Sequence, residues 1–247
     1  MTALPDALSH GPIKEVFPDV FFVSGAMETC LLDMDWTFSR NMTVIRDGDR
    51  LVVINSVRLD DEGLAALDRL GRVTDVVRLG SLHGRDDPFY VQHYGARYWM
   101  MPGMEHETGL QADETLSPDG PLPVADAELF TFETTAIPEG ILHIDRAGGI
   151  LVACDALQNW VAPDEFFSDD SREMMQEMGF FTPANVGPLW MQKAEPQADD
   201  FQRLMERDFR HALCGHGSPL CDTAREDFSA TVDRLFDQQG SAQTAAE

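Results

Sequence analysis

The run Ile150-Leu151-Val152-Ala153-Cys154-Asp155 constrains this chain more than any other stretch. Gly148 and Gly149 feed an unbroken apolar segment of strand length, which ends on a single carboxylate followed by Ala156, Leu157, Gln158, Asn159 and Trp160. A short apolar run bounded by glycine is the pattern of a strand buried on both faces. Its sheet must then be covered on both sides, which predicts a layered α/β protein. Asp155 falls at the strand end, where loops held by a rigid sheet reach solvent and functional groups collect.

The remaining segments supply the other layers. Val20-Phe21-Phe22-Val23 is β-rich, and Asn41 to Arg46 and Leu51 to Asn55 flank Asp47-Gly48-Asp49-Arg50, a turn sequence that predicts a hairpin. Asp60 and Asp61 cap a helix with Leu64, Leu67 and Leu70 at helical spacing, stopped by Gly71. Val73 to Leu79 reads as a strand, Phe89 to Tyr94 as a short helix and Ala96 to Met101 as a strand. Residues 104–125 read as a long surface loop lying over the site. Phe130 to Thr134 and Ile141 to Ile144 are strands, the second joined to the Asp155 strand by a hairpin. Helices are expected after Ser168, from Asp199 to Phe209 and from Thr223 to Gln239, with Arg210 to Cys214 between the last two. Residues 1–19 form an N-terminal arm, 20–239 one domain and 240–247 a flexible tail.

Eighteen basic against forty-three acidic side chains give a formal charge of −25. Such a charge repels nucleic-acid phosphates and anionic lipid, so neither nucleic acid nor membrane is expected as a partner. A small-molecule ligand or substrate remains, with the oligomeric state open. No apolar run reaches the roughly 20 residues of a membrane helix and no signal core begins the chain, so a cytoplasmic location is expected. Cys30, Cys154, Cys214 and Cys221 show no Cys-x-x-Cys spacing and read as free thiols, the middle two packing as small apolar residues.

Three loops that follow expected strands carry groups suited to chemistry: His83-Gly84-Arg85-Asp86-Asp87, Asp155, and Gly215-His216-Gly217. Imidazole nitrogen and carboxylate oxygen are the donors that zinc and iron take. The order of these pieces resembles the metallo-β-lactamase fold superfamily over roughly residues 20–219. That resemblance implies a four-layer αββα sandwich of two mixed β-sheets flanked by helices, with metal held by loops at one sheet edge.

Against the superfamily's His-x-His-x-Asp-His loop, this chain keeps His83 and Asp87 but has Arg85 and Pro88 at the other two ligand positions. The middle histidine position falls on Ala136, Asp155 matches the bridging aspartate, and Leu213-Cys214-Gly215-His216-Gly217 matches the final histidine loop. The resemblance is therefore to a degenerate branch. It implies His83, Asp87, Asp155 and His216 as ligands of one Zn or Fe ion, with a metal-free site as the alternative. His83, Asp87 and Asp155 are the catalytic candidates, and Arg85, Asn159 and Trp160 the substrate-binding ones, Arg85 pairing with Asp87 or Asp155. The function implied is metal-dependent hydrolysis of a small molecule. The alternative is a non-catalytic descendant that binds a small molecule or a protein.

Overall fold

The computed structural model describes residues 4–31 and 33–244. Its first sheet begins with four antiparallel strands, β1 (Lys14–Phe17), β2 (Val20–Leu31), β3 (Met34–Asp47) and β4 (Arg50–Ile54). Gly48, at φ 67°, supplies the positive dihedral that closes the β3–β4 hairpin with Asp47 opposite Arg50. Helix α1 (Asp61–Leu70) follows, its N-terminus capped by Asp60, whose carboxylate accepts from the Gly63 N–H. Then β5 (Arg72–Arg78), helix α2 (Asp87–Tyr94), β6 (Arg97–Met100) and β7 (Glu114–Thr115) extend the sheet in parallel, giving seven strands in sequential order.

The second sheet contains β8 (Ala127–Thr131), β9 (Gly140–Ile144) and β10 (Ile150–Val152), antiparallel in turn. A two-stranded ribbon, β11 (Leu157–Gln158) with β12 (Asn185–Val186), brackets helix α3 (Asp169–Glu177). Helices α4 (Pro188–Ala194) and α5 (Ala198–Met205) lead to β13 (His211–Leu213), which pairs parallel with β10, and helix α6 (Ala224–Thr244) ends the described chain.

Alternation along the strands builds the layers. Val52 and Ile54 of β4 face β10's Ile150 and Val152 in the core between the sheets, while Leu51 and Val53 turn outward onto Leu64 and Leu67 of α1 and Tyr90 of α2. On the far side, Leu151, Ala153 and Ala212 pack against Phe201 and Leu204 of α5 and Phe228 of α6. The order is helix, sheet, sheet, helix, as the resemblance implied. Each such leucine, isoleucine or phenylalanine contributes about 1.5–3 kcal/mol on burial.

Several expected boundaries differ. The segment taken as an arm contains β1, because Val16 and Phe17 pack against the inter-sheet core; residues 1–3 lie outside the described residues. Helix α6 runs to Thr244 rather than ending at 239, and 245–247 lie outside the described residues. Helix α5 stops at Met205, short of Phe209. Helix α4 was not legible because Pro188 reads as a breaker, yet proline fits a helix's first turn, where its missing N–H would have no partner. Among the described residues no helix is long and apolar enough to cross a membrane.

Two asparagines of the first sheet reach to the loops of the second. The Asn41 Nδ2 donates to the carbonyls of Cys214 at 3.0 Å and Gly217 at 2.6 Å, and its backbone N–H donates to the Gly215 carbonyl. Asn55, just past β4, donates through Nδ2 to the Ala153 carbonyl at 3.0 Å. Asn41→Ala would strand two buried carbonyls, so it should lower the free energy of unfolding by about 2 kcal/mol. Urea denaturation measures this, and a loss under about 0.5 kcal/mol would mean that the amide does not hold the loop.

Candidate active site

The ends of β5, β10 and β13 meet at the edge stitched by these asparagines. His83 follows β5, Asp155 follows β10 and His216 follows β13. His216 Nε2 lies 3.1 Å from Asp155 Oδ1 and 3.1 Å from His83 Nε2, while His83 Nε2 lies 3.5 Å from Asp155 Oδ2. Cys154 Sγ is 3.4 Å from Asp155 Oδ2, and the donor atoms of His83, Cys154 and Asp155 all fall within 4.8 Å of one another.

The backbone around His216 permits this convergence. Residues 216–218 run beside 159, with Asn159 N–H donating to the His216 carbonyl and Ser218 N–H to the Asn159 carbonyl. Gly217 takes φ 84°, and a Cβ there would stand 2.0 Å from the Asn159 carbonyl carbon, so no side chain fits. His216 Nδ1 donates to the Ser39 carbonyl at 3.0 Å, which turns Nε2 toward Asp155.

The charges follow from burial and neighbours. Burial disfavours the imidazolium of His83 and holds its pKa down at about 3, against the pull of Asp155. His83 is therefore neutral at pH 7. Burial would raise Asp155, but His83 and the hydrogen bond and charge of His216 outweigh it and hold the carboxyl below its ordinary range. Burial, then the negative charge of Asp155, lifts the Glu139 carboxyl well above its ordinary value. Glu139 Oε1 accepts from the Ala156 N–H at 2.6 Å, so this acid braces the loop that presents Asp155.

A cavity of about 740 Å³ opens over the cluster. His83, Arg85, Asp155, Trp160 and His216 line it; Asp87 and Asn159 do not. Asp87 is fully buried at the start of α2, where Ser56 Oγ donates to Oδ1 at 2.6 Å and Tyr98 OH to Oδ2 at 2.7 Å. Both its oxygens are thus engaged away from the other three residues. Burial raises its pKa. Arg85 pairs with Asp86 at 2.7 Å, rather than with Asp87 or Asp155, and Arg40 pairs with the other oxygen of Asp86. Asn159 is a structural amide that donates to the Ser218 carbonyl and accepts from the Ala184 N–H. Trp160 donates to Ser39 Oγ and places its ring 4.5 Å from that of His216.

Sequence reasoning missed Arg40, Arg78, Glu139 and the aromatic wall of Trp36, Phe38 and Phe180, all but Glu139 lining the cavity. A signal for Arg40 existed: Ser39-Arg40-Asn41 is a polar triplet entering an apolar strand, and all three side chains are buried.

No family model matches the sequence, and no curated protein matches it. Solved structures do match. A crystal structure of the DIM-1 metallo-β-lactamase superposes with a TM-score of 0.61 at 12% identity, over 92% of this chain and all of that one. A metallo-β-lactamase from Erythrobacter litoralis gives 0.56 at 13% identity, over 93% and 96% of the two chains. One from Hirschia baltica gives 0.57 at 10%, over 90% and 98%. At these identities the likeness establishes the fold, which is the metallo-β-lactamase αββα sandwich.

The placement of Asp87 sets a test. Below the carboxyl's unfolded pKa both states are neutral and Asp87→Asn should match the parent in stability. As pH rises from about 4 toward neutrality, the unfolded parent ionises more readily than the folded one, so the parent loses stability relative to Asp87→Asn. Urea denaturation across pH 4–8 reads the difference. A variant that becomes less stable than the parent as pH rises would show instead that the native carboxylate is used in its charged form.

Proposed function

We propose that this metallo-β-lactamase-fold chain is a metal-dependent hydrolase of a small molecule, with a reduced site in which Asp155, His216 and His83 hold one ion. The observation that carries this reading is the convergence of three ligand atoms from three strand ends. With Nδ1–H given to Ser39, His216 turns Nε2 toward Asp155 Oδ1 and His83 Nε2, each 3.1 Å away. Donors so arranged repel one another unless a cation or a proton lies among them. Two imidazoles and a carboxylate fit Zn or Fe, and the Ser39 bond is the outer contact that fixes a metal-binding ring.

A single ion fits better than two. Arg85, Pro88 and Ala136 occupy positions that match histidine ligands of the superfamily, and Ser56 and Tyr98 engage Asp87. The chemistry such an ion supplies when bound is polarisation of an acyl or phosphoryl oxygen and acidification of water. The chain's own residues do the rest. Asp155 contributes the negative charge, and burial keeps His83 neutral so that its nitrogen is a donor at pH 7. Trp160 and Phe38, with ring centroids 4.5 Å and 5.8 Å from that of His216, shield the cluster from bulk water.

A second reading, a metal-free binding protein, draws support from the same contact, because one imidazole can donate directly to the other at 3.1 Å. Metal analysis of protein purified without chelator separates the two. The hydrolase reading expects about one equivalent of zinc or iron per chain, lost in Asp155→Ala and kept in Asp87→Asn. Near-zero zinc, iron and manganese, with no heat on titration with zinc, would sink it.

A further inference from the structure

The cavity has two unlike walls. On one side stand three guanidinium groups, Arg40, Arg78 and Arg85. Arg40 and Arg85 share one buried carboxylate, Asp86. Arg78 donates to the carbonyls of Gly80 at 3.2 Å, Ser81 at 2.6 Å and Glu105 at 3.1 Å, and among the described residues it pairs with no carboxylate. Arg40 Nε is buried and has no hydrogen-bond partner among the described residues. The other buried carboxylate at the cavity is Asp155, so three guanidinium groups face two buried carboxylates. The remaining acids of the lining, Glu28, Glu105 and Glu107, are exposed and screened by water. In a chain of charge −25, an inner wall with surplus positive charge is a local reversal.

The other side is apolar. Trp36, Phe38, Trp160, Met175, Phe180 and Leu189 form it, with Phe38 edge-on to Trp160 and Trp36 edge-on to Phe180. The large apolar side chains most exposed among the described residues are Met34, Leu82, Val161 and Met178. Leu82 lines the cavity, and the other three lie within three residues along the chain of Trp36, Trp160 and Met175. Of these four, Leu82 is the one that extends the apolar lining to solvent.

We infer that the cavity takes an amphipathic organic anion, with a carboxylate or phosphate head on the arginine side and an aryl or long alkyl body against the tryptophans. The volume, about 740 Å³, suits a ligand of that kind. This deepens the hydrolase reading by naming its substrate class, since the head and the body would place a bond between them beside His83, Asp155 and His216. Binding itself asks nothing of a metal.

The test uses the full chain after EDTA treatment, with 1-anilinonaphthalene-8-sulfonate as a fluorescent probe of the cavity. Decanoate, decanol and acetate then compete for it. Decanoate should displace the probe at about tenfold or more lower concentration than either competitor, since decanol lacks the charge and acetate lacks the body. Arg85→Gln should weaken displacement by decanoate about fivefold while leaving decanol unchanged, and Arg85→Lys should restore most of the loss. The unchanged decanol value shows that the variant is folded. Equal displacement by decanol and decanoate, or by acetate and decanoate, overturns the inference, as does an Arg85→Gln protein that binds decanoate like the parent. Because no metal is present, failure here leaves the metal reading standing, and a metal-free native protein leaves this inference standing.

Discussion

A buried carboxylate that stays charged is the constraint on which the site depends. Asp155 lies beneath the cavity, and ionising a carboxyl away from water is costly unless cations or hydrogen-bond donors surround it. His216 meets one oxygen at 3.1 Å, and His83 and Cys154 approach the other. The fold supplies these partners from the ends of different strands, so the cost of burying the charge is offset only when both sheets are assembled. Asn41 and Asn55 secure that assembly by satisfying backbone carbonyls across the gap between the sheets. Glu139 beside it is shifted the opposite way, its carboxyl lifted well above the ordinary value by burial and then by the negative charge of Asp155.

Electrostatics inside and outside the molecule run in opposite senses. The exterior is strongly acidic, while Arg40, Arg78 and Arg85 gather at the cavity. The loop that carries His83 owes its shape to these cations. Arg78 binds the carbonyls of Gly80 and Ser81 from beneath, and a side chain at Gly84 would collide with its guanidinium. Where the resemblance puts a ligand histidine, Arg85 now anchors to Asp86, and Asp87 turns to Ser56 and Tyr98. These contacts are mutually consistent: arginine–carboxylate and hydroxyl–carboxylate bonds together hold the loop.

Much of the architecture was legible because it rests on local rules. The Asp47-Gly48 turn, the Asp60 cap, the Ser168 cap and the apolar run to Val152 each specify their element through dihedral preference, capping or periodicity. Strand β1, helix α4 and the β11–β12 ribbon escaped notice for the same reason. They are short, and packing against distant residues holds them rather than any strong propensity of their own.

The sequence by itself determined a layered α/β architecture and the loops after strands that carry His83, Asp155 and His216, because burial pattern and glycine placement act over a few neighbouring residues. Only the tertiary structure decided which groups meet. Asp87 opens α2 and Asp155 follows β10, both as buried carboxylates, yet one is engaged by a serine and a tyrosine and the other faces two imidazoles. Asn159 and Trp160 are adjacent, yet the first pins a loop while the second walls the cavity. Such distinctions depend on distances between segments up to 177 residues apart, as between Ser39 and His216, which no local pattern encodes.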